Sequence, residues 1–247
     1  MLKRIFLLLS CLALFSAPAL AAELHMYAGA GLRVPADEII KKFEAESGHS
    51  VKVEYANMGQ LLTRFKAAKT GDVFLSGSEF YVDELAREKA VAARHKLVLH
   101  TAVMAVRNDK IGKIKTWKDL SESKLRIAMG DPKALALGKA GETMLEKSGY
   151  GEKLRGMVTV RGTTIKQVLM YLVNGDVDAA VIGYSDAVKN KDLTILPTPA
   201  GTPQEISEIA ALSTSQNPEA AKALTDYFAR PENIKIFVDF GFLPLTK

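Results

Sequence analysis

Apolar positions along this chain fall into two rhythms. Val51, Val53 and Tyr55 alternate with polar residues, the period of a half-buried strand. Ile165, Val168, Leu169 and Leu172 recur at helical spacing, and Gly175 follows as a terminator. Mostly apolar runs at Leu24–Ala28, Val73–Leu75, Leu97–Val106, Leu125–Met129 and Val177–Ile182 predict strands, the last of them buried. Helices are predicted over Ala36–Glu46, Gln60–Ala68, Val82–Lys89, Gly138–Ser148 and Pro231–Phe240. Trp117–Leu120 reads as a helical turn, and Asn217-Pro218 opens a helix with Leu224, Tyr227 and Phe228 inward. Pro197–Pro203 is a proline-rich connector before an extended return at Ile206–Leu212.

Strands alternating with helices predict an α/β protein with mostly parallel sheets. The runs Leu97–Val106 and Ile206–Leu212 are placed to cross twice between two lobes and act as hinges. The expected division is residues 22–100 and 208–247 in the first lobe and residues 101–207 in the second.

One local design repeats. A short strand runs into a small, polar or glycine-bearing turn that opens a helix, at Met26–Pro35, Val53–Leu61, Ile127–Gly138, Val158–Gln167 and Val181–Ala187. The first amides of a helix have no internal partner and lie at its positive end. Several such turns gathered at one cleft would hold an anion.

Composition narrows the setting. Lys3 and Arg4 precede the apolar run Ile5–Phe15, and Ala19-Leu20-Ala21 has the small-x-small form of a cleavage site. Residues 1–21 are therefore expected to be a cleaved signal peptide, with a periplasmic product. The apolar run is too short to span a bilayer. Cys11 is the only cysteine and falls in that signal, so no disulfide is expected. A lipoprotein cleaved before Cys11 would be left with too short a hydrophobic run. The net charge of +5 includes Lys3 and Arg4. No long basic run or basic–aromatic interleaving accompanies it, which argues against nucleic acid as a partner.

The segments Asp72-Val73-Phe74-Leu75-Ser76-Gly77-Ser78, Gly130-Asp131-Pro132 through Gly138-Lys139-Ala140, and Gly175-Asp176-Val177-Asp178-Ala179-Ala180 with Ser185-Asp186-Ala187 stand in a fixed order. With the terminal Gly241-Phe242 they resemble the periplasmic molybdate/tungstate-binding proteins of ABC importers. The resemblance runs over nearly the whole mature chain. It implies a two-lobed type II periplasmic binding fold, a metal-free oxyanion site of hydroxyl and amide donors, and a membrane permease as partner. The chain departs from that pattern at three places. Gly31 stands where the family has a serine, Met58 where it has another, and Gly183 where it has a tyrosine, with Tyr184 one place on. A hydrogen bond to a charged group contributes ~1.5–3 kcal/mol, so losing two would weaken binding by roughly 10²–10⁴-fold.

The candidate ligand-binding residues are Ala30, Gly31, Asn57, Met58, Gly59, Ser76, Ser78, Leu135, Thr163, Thr164, Tyr184 and Ser185, with Arg33 and Arg161 as possible cationic partners. Each has a plainer reading. Ser76, Ser78 and Thr164 suit helix caps, Met58 a core gap and Tyr184 a buried structural role. Asp131 before Pro132 suits an N-cap. His25, His49, His95 and His100 lack metal spacing, so no metal and no cofactor is expected. Ser121-x-x-Lys124, Ser185-Asp186 and Lys69-Thr70-Gly71 echo the serine β-lactamase motifs but in the wrong order. The expected function is capture without catalysis, by a monomer, of a small oxyanion, with molybdate or tungstate first. Another anion such as sulfate, phosphate or a carboxylate is the near alternative, and a secreted enzyme the distant one.

Overall fold

The computed structural model describes residues 21–112 and 114–245. The predicted export signal lies almost wholly outside these residues. Among the described residues there are ten strands: β1 (Glu23–Gly29), β2 (Ser50–Ala56), β3 (Val73–Ser76), β4 (Val91–Arg107), β5 (Ile127–Gly130), β6 (Val158–Gly162), β7 (Ala179–Gly183), β8 (Leu193–Ile195), β9 (Gln204–Leu212) and β10 (Leu243–Pro244). Their order is β2-β1-β3-β9-β4-β7-β5-β6, with β8 and β10 also paired to β4. In the first half β1 runs parallel to β2 and β3. In the second half β5 runs parallel to β6 and β7. Antiparallel pairs arise at the middle, where β9 lies between β3 and β4, and β4 continues onward to β7.

Central strands read as apolar runs because both of their faces are covered. Every residue of β3, β5 and β7 is buried. On one face of the first half, the helix Arg33–Ser47 buries Ile39, Ile40 and Phe43 beside Leu224, Phe228 and Phe237 from the two C-terminal helices. The other face takes Leu61, Phe65, Val82 and Leu85 from the helices Met58–Ala68 and Glu79–Arg87. The second half has its own cluster, built on Met104, Met129, Met144, Val168, Leu172 and Ile182.

Local chemistry sets the helix ends. Thr164 Oγ1 accepts from the amide of Gln167 at 3.1 Å at the start of Ile165–Asn174, and Gly175 closes that helix at φ 84°. Pro35 sits inside the first turn of Arg33–Ser47, where its missing N–H removes no internal hydrogen bond.

β4 is longer than the apolar run predicts, beginning at Val91 instead of Leu97. Its first half carries Arg94 and Lys96, polar residues that mask a strand from a hydrophobicity reading. Pairing with β9, broken by two register shifts, holds that half extended. The single strand therefore belongs to both halves, and His100 and Thr101 mark its midpoint.

Candidate functional site

A cavity opens between the two halves beside this midpoint. It is lined from the first half by the turn Gly29–Leu32, by Ala56–Met58, by Gly77, Ser78 and Tyr81, and by His100 of β4. The second half supplies Ala134–Leu137, Thr164 and Ile165. It offers about 60 Å³ to the centres of water-sized groups. One water needs about 10–15 Å³ by that measure, so there is room for about four to six such groups. That suits a compact ion.

Helix starts from both halves reach the cavity. Ala30–Leu32 is a single tight turn leading straight into the helix Arg33–Ser47, with no side chain capping it. Asn57 caps Met58–Ala68 by accepting from the amide of Gln60 at 3.0 Å. This leaves the amides of Met58 and Gly59 unclaimed by that cap. Ser78 precedes Glu79–Arg87, yet its hydroxyl makes no cap. Its Oγ is buried without a hydrogen-bond partner, in a residue only 1 % exposed. A buried hydroxyl of this kind needs a partner that the protein does not provide. Thr164 Oγ1 spends one lone pair on its cap and keeps a proton to donate.

The halves touch at the rim. Asn57 Nδ2 donates to the carbonyl oxygen of Thr163 at 3.3 Å. Tyr81 Oη donates to the carbonyl oxygen of Ala134 at 3.3 Å. Burial raises the Tyr81 pKa, so the phenol stays protonated and able to donate.

Of the residues expected from sequence, Ala30, Gly31, Asn57, Met58, Ser78, Leu135 and Thr164 line this cavity. Gly59 lies beside it, where a Cβ would sit 3.8 Å from the carbonyl oxygen of Ala134. Ser76, Thr163, Tyr184 and Ser185 are not in its wall. Ser76 Oγ is used up in a local turn, donating to the carbonyl of Ser78 and accepting from its amide. Thr163 Oγ1 is paired with Gln167 at 3.2 Å. Tyr184 packs against the core of the second half, and Ser185 lies against Gly241. Both arginines are also occupied elsewhere. Arg33 stacks over the Tyr55 ring at 4.4 Å, and Arg161 pairs with Glu142 at 2.6 Å.

Sequence reasoning missed Tyr81, Gly77, Ala134 and His100. His100 left one signal: a lone imidazole inside an apolar run, at the predicted boundary between lobes. Around these donors stand Leu32, Met58, Leu135, Leu137 and Ile165, which exclude water and strengthen each remaining polar contact. The arrangement can hold a small anion by amides and hydroxyls.

Comparison with known proteins agrees with this architecture. A family profile for bacterial extracellular solute-binding proteins matches residues 24–243. A binding protein of Haemophilus influenzae is 48% identical over 225 residues, covering 91% of this chain and 92% of that protein. The molybdate-binding protein ModA of Rhodobacter capsulatus is 28% identical over 234 residues, covering 92% of this chain and 90% of its own. The periplasmic molybdate-binding protein of Azotobacter vinelandii superposes with a TM-score of 0.77 at 14% identity, covering 90% of this chain and 100% of that one. That likeness shows the fold, a two-lobed type II periplasmic binding protein.

Proposed function

We propose, from the premise that this chain belongs to the bacterial extracellular solute-binding protein family, that it captures a small oxyanion between its lobes for an ABC permease. Molybdate and tungstate are the first candidates, and the molybdate-binding relatives support that order. Sulfate, phosphate or a small carboxylate is the alternative, favoured by the glycines and methionine that replace side-chain donors. In this reading residues 22–100 and 208–247 form one lobe and residues 101–207 the other. The separate apolar cluster spanning Ala102 to Leu196 supports that division. The protein acts outside the cytoplasm as a monomer, and it binds its ligand without converting it.

The observation that carries the proposal is the orphaned hydroxyl of Ser78. It faces a cavity whose other donors are helix-start amides from separate segments. Closure follows when donors of both lobes meet one ligand, and the bound form is stabilised over the open one by that difference in contacts. Thermal unfolding with molybdate, tungstate, sulfate, phosphate and acetate tests it. A specific anion at 100 times its dissociation constant should add about 2.7 kcal/mol of stability. The absence of a shift with every anion overturns the proposal.

A further inference from the structure

His100 lines the cavity from the strand that crosses between the halves. Three glycines from three different turns fence its ring. A Cβ on Gly31 would lie 3.6 Å from Cε1 and 3.8 Å from Nε2. A Cβ on Gly183 would lie 3.5 Å from Nε2, 3.5 Å from Ser185 Oγ and 3.7 Å from Asp186 Oδ2, and one on Gly77 only 2.7 Å from Nδ1. Gly31 and Gly183 are the positions at which the sequence resemblance implies a serine and a tyrosine. The Nε2 edge of the imidazole therefore fills the space into which both of those side chains would grow. Phe242 backs the ring with centroids 5.4 Å apart.

The protonation state follows from the partners. Nδ1 lies 3.3 Å from the carbonyl oxygen of Gly77. A carbonyl only accepts, so Nδ1 carries the proton and Nε2 of a neutral ring is a bare acceptor. A bare lone pair repels an anion, whereas an imidazolium Nε2–H donates to it. The charged side chains facing the ring are Lys166 and Asp186, paired to each other at 2.5 Å, so their fields largely offset. The cavity's other titratable group, Tyr81, is committed to Ala134. Burial pushes His100 down to about 4, so the free ring is neutral from about pH 5 upward.

Resting on the cleft reading above, we infer that His100 replaces the absent serine and tyrosine as an anion-binding residue, and that capture draws one proton onto its Nε2. The proton comes from solvent, and the bound pair carries one negative charge fewer than the anion alone. Binding then strengthens as pH falls, by up to tenfold per pH unit, wherever the ring is neutral free and charged when bound.

Calorimetry of the purified protein with molybdate, tungstate and sulfate, in buffers of different ionisation heat at about pH 5, counts the protons taken up. The expected result is close to one proton per anion. His100→Gln should bind at least about tenfold more weakly with no uptake. The NMR titration of the His100 Cε1 proton in the unmutated protein should move up by at least about 2 pH units on adding the anion that binds. Binding without proton exchange and with an unmoved midpoint overturns the inference, leaving the cleft reading intact. Retention of full affinity by His100→Gln does the same. If that variant does not fold, the proton count and the NMR midpoint decide. Failure of all three anions to bind removes the inference together with the oxyanion reading of the cleft.

Discussion

Asn57 and Thr163, 106 positions apart in the chain, meet across the cleft, the Asn57 side-chain amide donating to the Thr163 carbonyl oxygen at 3.3 Å. The same side chain caps its own helix through Oδ1. One residue therefore couples the integrity of a cavity-facing helix start to the contact between lobes. Asn57→Asp keeps the capping oxygen, loses the donor and adds a negative charge beside the amides. It is expected to leave the melting temperature nearly unchanged while weakening anion binding by at least about a hundredfold. Asn57→Ala also loses the cap, at about 1 kcal/mol of stability. Chemical denaturation and calorimetry on the two variants separate these effects.

Ser78→Ala removes a buried hydroxyl that has no partner within the protein. The substitution should leave stability unchanged or slightly higher, because an unsatisfied group is lost. Anion affinity should fall by ~1.5–3 kcal/mol, the worth of a hydrogen bond to a charged group. A fall in stability with affinity preserved would assign Ser78 to the scaffold instead.

Asp178 holds the second lobe together. Both of its oxygens bond the Arg126 guanidinium at 3.1 Å, and Oδ2 also accepts the Arg126 amide at 2.9 Å. The Arg126 hydrogen bonds keep its carboxyl below the ordinary carboxylate range. The stability it adds is complete above the unfolded-state pKa of about 4 and is lost as pH falls through the lower folded value. Asp178→Asn should cost about 1–3 kcal/mol at about pH 7, an estimate reduced for the exposed arginine. That difference should shrink in urea melts run at progressively lower pH.

Glu208 has the opposite sign. It is 1 % exposed on β9, and its Oε2 has no partner. Burial raises its pKa, although Arg94 stands 3.4 Å from Oε1. The fold favours the protonated form, so stability declines as pH rises from the ordinary carboxylate range through the raised value. Glu208→Gln should raise the melting temperature at about pH 7 by about 2–4 °C, for about 1 kcal/mol of relief. An unchanged or lower melting temperature would show that Arg94 outweighs the burial.

Within the motifs that carry the family resemblance, Asp72, Asp131 and Gly138 serve the scaffold, whereas Gly77 and Ser78 line the cavity. Asp72 accepts from the His25 amide at 2.7 Å and from Ser215 Oγ at 2.5 Å, tying β1 and β3 to the chain after β9. Asp131 bonds the amide of Lys133 at 2.9 Å in the turn before Ala136–Lys147. Gly138 lets that helix approach, since a Cβ there would lie 2.7 Å from the Asp131 carbonyl oxygen. Scaffold motifs depend on local geometry and short-range bonds, so they can be read in order along the sequence. The cavity wall depends on which segments meet, and no local pattern records that. Ser76 and Ser78 show the limit. The two are chemically alike and two positions apart, yet one is consumed by its own turn and the other is left bare.

The sequence by itself determined the alternation of strands and helices, the paired apolar cores and the turns that open helices, because hydrophobic period and turn chemistry act over a few residues. The resemblance read from it also implied glycine or methionine at three donor positions. Only the tertiary structure decided which side chains meet at the cavity. The crossing of β4 between lobes carries His100 to a point ringed by Gly31, Gly77 and Gly183, residues more than 150 positions apart at the extremes. Packing over such distances is fixed by the sum of both cores, and it turns an isolated histidine into the residue that faces the cleft.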